Sequence, residues 1–214
     1  MPTILIGAIV LSALAAIVAD WNEGRPPIFK LLKPLTTILI GILALTAPDS
    51  LYRNVVLLAL LLSLVGDVAL MYESNPAFLT GLGSFLLAHL VFMLAFLHGV
   101  AQWTPPLWAA IFLLYGVVLG VILVSRAEPA LRMPVVIYAL VLTGMAITAL
   151  LRWQGLGGGT GAYALLGATL FVLSDSALGI RKFVGRYRGA QGLILSTYWG
   201  GIACIAWSAQ GVAG

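Results

Sequence analysis

Eight apolar runs, each about as long as a hydrocarbon bilayer is thick, leave this chain few ways to fold. Bounded by charge, Pro or Gly, they fall at roughly 2–19, 31–47, 53–71, 77–98, 106–124, 133–151, 161–180 and 190–209. An α-helix rises about 1.5 Å per residue and needs about 20 apolar residues to cross the core, so each run predicts a span. Residues 2–19 have the apolarity of a signal peptide but no basic start. Asp20-Trp21-Asn22 is also a poor cleavage context, so they are read as the first span. Hydrophobic residues make up 62% of the chain and charged residues 8%, with a mean hydropathy of +1.10. No soluble domain hides that much apolar surface. The expected fold is an all-α integral membrane protein: a single polytopic domain over residues 1–214, built as an eight-transmembrane-helix bundle. A homo-oligomer is compatible with such a bundle.

The connections are short and carry turn chemistry at Pro26-Pro27, Asn75-Pro76, Thr104-Pro105-Pro106 and Gly155 to Gly161. The run Gly157-Gly158-Gly159 lacks the Lys of a phosphate loop and follows no strand, so it reads as a flexible connection. Cys204 is the one cysteine, which excludes an internal disulfide and a Cys-based metal site. The pI near 9.5 does not indicate a nucleic-acid partner, because the basic residues cluster at the ends of apolar runs. Anionic membrane lipids and topology explain them better. Arg25, Lys30, Lys33, Arg126, Arg132, Arg181, Lys182, Arg186 and Arg188 belong to the odd-numbered connections, against Arg53 and Arg152 on the other side. That asymmetry puts the odd connections in the cytoplasm and both termini outside it. The expected location is a bacterial inner (plasma) membrane.

Within this apolar background two aspartates stand in nearly the same words, Leu64-Val65-Gly66-Asp67-Val68-Ala69-Leu70 and Val172-Leu173-Ser174-Asp175-Ser176-Ala177-Leu178. An ionisable side chain at membrane depth is costly and survives mainly where it pairs, lines a wet cavity or does chemistry. Only seven residues of the 214 are acidic, so two of them placed in this way point to a carboxylate pair at one site. Each lies about a turn from the odd-connection end of its helix. His89 follows Asp67 by 22 residues and Tyr198 follows Asp175 by 23, each a polar ring on the next helix. A direct 4+4 internal repeat with the site between its halves accounts for this echo. Chance resemblance between two apolar helices is the alternative.

The aspartates have polar and aromatic company. Ser63 shares a face with Asp67, Ser174 and Ser176 flank Asp175, and Lys182 returns to the Asp175 face seven residues on. Phe85, His89, Phe92 and Phe96 form one stripe, and Gln191 shares a face with Tyr198. Together they suggest a wet pocket entered from the cytoplasmic leaflet, with an apolar wall suited to an acyl or alkenyl chain. Each feature also has a plainer reading. His89 can be a core histidine, Phe85, Phe92 and Phe96 can be packing, and Arg181, Lys182, Arg186 and Arg188 can be a positive-inside loop. Glu73 reads as an interfacial residue, and Tyr138 as a structural donor or a site residue.

Several blocks of the sequence carry a family resemblance. Gly66-Asp67, Phe78-Leu79-Thr80-Gly81-Leu82, Phe85-Leu86-Leu87-Ala88-His89, Ser174-Asp175 with Phe183, and Tyr187-Arg188-Gly189-Ala190-Gln191 resemble the YhhN family. That family includes the lysoplasmalogenases, eight-span hydrolases of the vinyl ether bond. The resemblance runs from the third helix to the eighth, and little of it falls on the first two, fifth and sixth. It implies Asp67, Asp175 and His89 as catalytic residues and a lysophospholipid as substrate, drawn from the bilayer. Lys182 and Arg181 would then meet its phosphate, with Tyr198, Gln191, Ser63, Phe85 and Phe92 lining the pocket.

The chemistry of a vinyl ether suits a carboxyl pair. Protonating its β-carbon gives an oxocarbenium ion, which water captures as a hemiacetal that collapses to an aldehyde and an alcohol. One neutral carboxyl and one carboxylate divide these tasks, as in inverting glycosidases. No cofactor is expected. Two histidines and one cysteine are too few for an ordinary zinc site, and Ser174 and Ser176 lack a nucleophile elbow. The competing class is a proton-coupled transporter or lipid flippase using the same aspartates. A structural membrane protein would leave them unexplained.

Overall fold

The computed structural model of the chain describes residues 2–72 and 74–211; Glu73, expected at the interface, lies outside the described residues. Among the described residues there are eight α-helices: α1 Pro2–Ala19, α2 Pro27–Leu45, α3 Leu51–Ala69, α4 Asn75–Leu97, α5 Ala110–Arg126, α6 Pro129–Leu156, α7 Gly158–Gly179 and α8 Ala190–Trp207. By length and composition α2 to α8 can each cross a membrane, and α1 is an apolar helix just short of that measure. The ends follow local chemistry. Pro27 and Pro129 open α2 and α6 at positions where the missing N–H costs nothing. Ser50 caps α3 by accepting from the Arg53 N–H at 3.2 Å, and Ser74 caps α4 by accepting from Ala77 N–H at 3.2 Å.

One connection departs from expectation. The predicted loop from Gly155 to Gly161 shrinks to Gly157, whose φ of 60° turns the chain between α6 and α7. Gly157 and Gly158 supply the left-handed backbone of the turn, and Gly161 serves close approach. A Cβ on Gly161 would lie 2.7 Å from the Trp153 Cα, which only Gly avoids. At its other end α7 runs into a π-helical turn, Ile180–Val184, closed by Gly185 N–H to the Ile180 carbonyl at 3.0 Å.

Helix neighbours repeat across the two halves. The pairs α1–α2, α2–α3 and α3–α4 correspond to α5–α6, α6–α7 and α7–α8, while α4 packs on α6 as α8 packs on α2. The core between them holds Tyr52, Phe92, Phe96, Phe171, Ile202 and Ile205. Leu, Ile and Val side chains such as Leu14, Leu114 and Val121 cover the outside, as a lipid-facing surface requires. Where α7 crosses α8, a Cβ on Gly167 would lie 2.6 Å from the Gly201 carbonyl oxygen, so small residues set the helix separation. Arg152 lies inside α6, fully buried and stacked 3.7 Å over the Tyr52 ring, donating to the His98 carbonyl at 2.9 Å. His98 thus joins that end of the bundle, away from the aspartates.

Candidate active site

Asp67 and Asp175 line one cavity of about 320 Å³. Its walls come from α2, α3, α4, α7 and α8, and its mouth from the connections after α1, α3 and α7. Asp67 is buried on the last turns of α3. Its Oδ2 accepts from the Thr37 hydroxyl at 2.6 Å and from the Tyr198 hydroxyl at 2.8 Å. The Lys33 ammonium stands 3.4 Å from Asp67 Oδ1 and donates to the Asp67 backbone carbonyl at 3.2 Å. Gly66 makes room beside it, since a Cβ there would lie 2.6 Å from the Phe85 ring.

Asp175, on α7, is held differently. The Tyr138 hydroxyl of α6 donates to its Oδ2 at 2.6 Å. His89 Nε2 lies 3.5 Å from the same oxygen, yet both ring nitrogens of this buried histidine lack a hydrogen bond. The His89 ring packs edge-on against Phe171 at 4.6 Å and Tyr138 at 5.3 Å. The helix shift by four carries over to these partners. Asp67 on α3 takes a donor from α2 and a ring from α8, and Asp175 on α7 takes a donor from α6 and faces a ring on α4.

A second, narrow apolar slot of about 70 Å³ runs between α4, α5, α6 and α7, lined by Leu82, Phe112, Leu119, Leu123 and Leu142 among others. Phe78, Phe85, Asp175 and Lys182 line both the slot and the polar cavity. Asp175 therefore stands where a wet chamber meets a dry one. The π-helical turn carries Arg181 and Lys182 to this junction, a frequent use of such turns. Lys182 Nζ lies 4.5 Å from the Phe78 ring centroid. Arg181 donates to Gln191 Oε1 and stands 3.6 Å from Glu23. Gln191 in turn donates to Asp20, just beyond α1, which also accepts from Arg25 N–H at 2.6 Å. Burial pushes the Asp20 carboxyl above the usual carboxylate range, while these two hydrogen bonds pull it back.

The cavity gathers Asp67, Asp175, Tyr198, Gln191, Arg181, Lys182 and Phe85. It does not gather Ser63, Phe92 or His89, the last of which lies fully buried behind Asp175 and reaches the cavity only through that carboxyl. Ser63 is buried and turns its hydroxyl back onto the Ala59 carbonyl at 2.9 Å, as helical serines do when no other acceptor faces them. Phe92 is buried against Phe96 and Phe171, so it packs the core beneath the site. Lys33 and Thr37 escaped the site reading of the sequence, while Tyr138, read there as a structural donor or a site residue, stands against Asp175. By charge Lys33 counts with the first connection, although Pro26-Pro27 is a helix-start signal that places it in the second turn of α2. Thr37, four residues on, shares its face. Among the described residues no group of three or more His, Cys, Asp or Glu side chains comes together as a metal-ligand set.

The human protein named Lysoplasmalogenase TMEM86B is 34% identical over 171 residues, covering 80% of this chain and 70% of that protein. The pig protein of the same name is 34% identical over 156 residues, 70% of this chain and 61% of its own length. A Mycobacterium bovis protein named Lysoplasmalogenase is 31% identical over 173 residues, 78% of this chain and 63% of its own. The matches thus span less than two thirds of the pig and mycobacterial proteins. No solved structure is a significant match. The YhhN family profile matches residues 28–209, which include both aspartates and every helix from α3 to α8. With the sequence blocks around Asp67, His89 and Asp175 lying inside that match, the chain belongs to the YhhN family.

Proposed function

We propose that this protein is a lysoplasmalogenase that hydrolyses the vinyl ether of a 1-alkenyl lysophospholipid by carboxyl-pair acid/base catalysis. The observation that carries the reading is the position of Asp175 at the junction of a polar cavity and an apolar slot. A lysoplasmalogen has its vinyl ether at the same kind of junction, between a polar headgroup and an alkyl chain. The chain lies in the slot, and the phosphate lies in the polar cavity near Lys182 and Arg181. The names of the relatives support the same substrate class.

The surroundings of the two carboxyls suggest how they divide the work. Asp67 has the Lys33 ammonium to balance a negative charge, so it serves as the carboxylate. Asp175 has a hydroxyl and an imidazole beside it and serves as the proton donor. Asp175 gives its proton to the β-carbon of the vinyl ether, and the α-carbon becomes an oxocarbenium ion facing the Asp67 charge. Water adds to the α-carbon while Asp67 takes the released proton. Asp67 then returns that proton to the glycerol oxygen as the C–O bond breaks, and Asp175 takes the hemiacetal hydroxyl proton. A fatty aldehyde and a glycerophospho-ethanolamine or glycerophosphocholine leave, and both carboxyls are back in their starting states. Tyr138 and His89 orient Asp175. The odd-numbered connections, and with them the mouth of the cavity, face the cytoplasm, and both termini lie on the other side.

The test is mass-spectrometric detection of a fatty aldehyde from purified protein given a 1-alkenyl lysophospholipid, with the 1-acyl analogue alongside. Aldehyde from the first and no fatty acid from the second is the expected result. Fatty acid release without aldehyde would replace the ether hydrolase with an esterase.

A further inference from the structure

On the outer face of α5 and α6, with the inner apolar slot directly behind it, runs an open groove of about 670 Å³. Leu113, Val117, Val121, Val136 and Leu140 line it, and Ser125 and Arg132 stand at its odd-connection end. Gly116, Gly120, Ala139 and Thr143 line this groove and the inner apolar slot alike. A single layer of small residues therefore separates the bilayer side from the substrate slot. The helix that forms half of this wall is loosely held. Leu123 is the one buried residue of α5, which packs mainly on α6, touches the short turn before it and the π-helical turn after α7, and is tied to α7 itself by the Tyr115 hydroxyl donating to Ser176 Oγ at 2.8 Å.

We propose that the α5–α6 groove is the docking site and side door for the lipid substrate, a deepening of the lysoplasmalogenase reading on which it rests. A single-chain phospholipid lays its chain along Gly116 and Gly120 with its phosphate at Arg132. The Arg132 guanidinium is exposed and has no carboxylate partner among the described residues, and it donates only to the Ala127 carbonyl at 3.3 Å. A small shift of α5 away from α6 opens the seam, the kind of sliding that packed helices allow. The chain then moves sideways into the slot while the phosphate passes to Lys182. This route keeps the chain in an apolar medium throughout. Entry through the polar mouth would expose every methylene to water, a cost that grows with chain length.

The seam can be locked. A Cβ on Gly120 would lie 3.7 Å from the Ala139 Cβ, within the disulfide range of about 3.5–4.5 Å. The experiment compares oxidised and reduced forms of the same G120C/A139C protein, with Cys204 replaced by Ala, in lipid nanodiscs. Two substrates are used: a long-chain 1-alkenyl lysophospholipid in the bilayer, and a short-chain, water-soluble one that can enter through the polar mouth. Oxidation is expected to slow the long-chain reaction about tenfold more than the short-chain reaction, reversibly on reduction. Arg132→Gln should raise KM for the bilayer substrate and leave kcat for the soluble one alone. Equal long-chain rates in the two forms would overturn the side door and leave the catalytic reading standing. Equal loss of both reactions on oxidation would assign the effect to the site itself and overturn the door as well. No aldehyde from the reduced protein with either substrate would overturn the catalytic reading and the door with it.

Discussion

Asp67 and Asp175 are the same residue type in nearly the same words, yet one sits against an ammonium and the other against a phenol and an imidazole. Asp67→Asn and Asp175→Asn should each abolish aldehyde release in a folded, detergent-stable protein, because an amide neither donates the catalytic proton nor accepts one. The double variant should be scarcely slower than either single one, since groups acting as a unit are not additive. Near wild-type turnover in either single variant would favour the transporter reading. Lys33→Met should leave Asp67 buried without its cation, at a cost of about 3 kcal/mol in stability. Adding Asp67→Asn to Lys33→Met should restore much of the lost stability but none of the activity. Thermal unfolding of the four proteins in one detergent closes this cycle, and additive losses would argue against the pair. Lys182→Ala should raise KM more than it lowers kcat, because a phosphate contact is made equally in ground and transition states. An unchanged KM would return Lys182 to a purely topological role.

At the level of elements, the helix spans were legible because apolar run length and Pro, Ser and Gly punctuation are local signals. The sequence places the third helix at 53–71 and the structure places α3 at Leu51–Ala69. The connection at Gly157 is shorter than the glycine run suggests, because a glycine run looks the same in the sequence whether it forms a long loop, a tight left-handed turn or a close helix approach. Gly167 tests that distinction inside a helix. Gly167→Val should push α7 from α8 against the Gly201 backbone and destabilise the protein by about 1–3 kcal/mol, read as a lower Tm in detergent. An unchanged Tm would mean that the crossing is loose. The π-helical turn at Ile180–Val184 has no sequence signal, although it carries Arg181 and Lys182, because it ends its helix and no apolar repeat follows to reveal the shift in phase.

Across the whole molecule, the helices fall into two halves with matching neighbours, and the matched positions supply the partners of both aspartates. A reporter active only in the cytoplasm, fused at Gly214, should give no signal if the odd connections face the cytoplasm. A bright signal would invert the protein and carry the cavity mouth to the other leaflet. By itself the sequence determined the helical class, the spans and the singling out of Asp67, Asp175, His89 and Tyr198, because membrane burial makes every polar residue conspicuous against an apolar background. Only the tertiary structure decided which polar groups meet. It brought Lys33 and Thr37 from α2 to Asp67 and Tyr138 from α6 to Asp175, and it turned Ser63 and Phe92 away from the cavity. Helical periodicity fixes which residues share a face, but the rotation of each helix against its neighbours is set by packing between segments far apart in the chain.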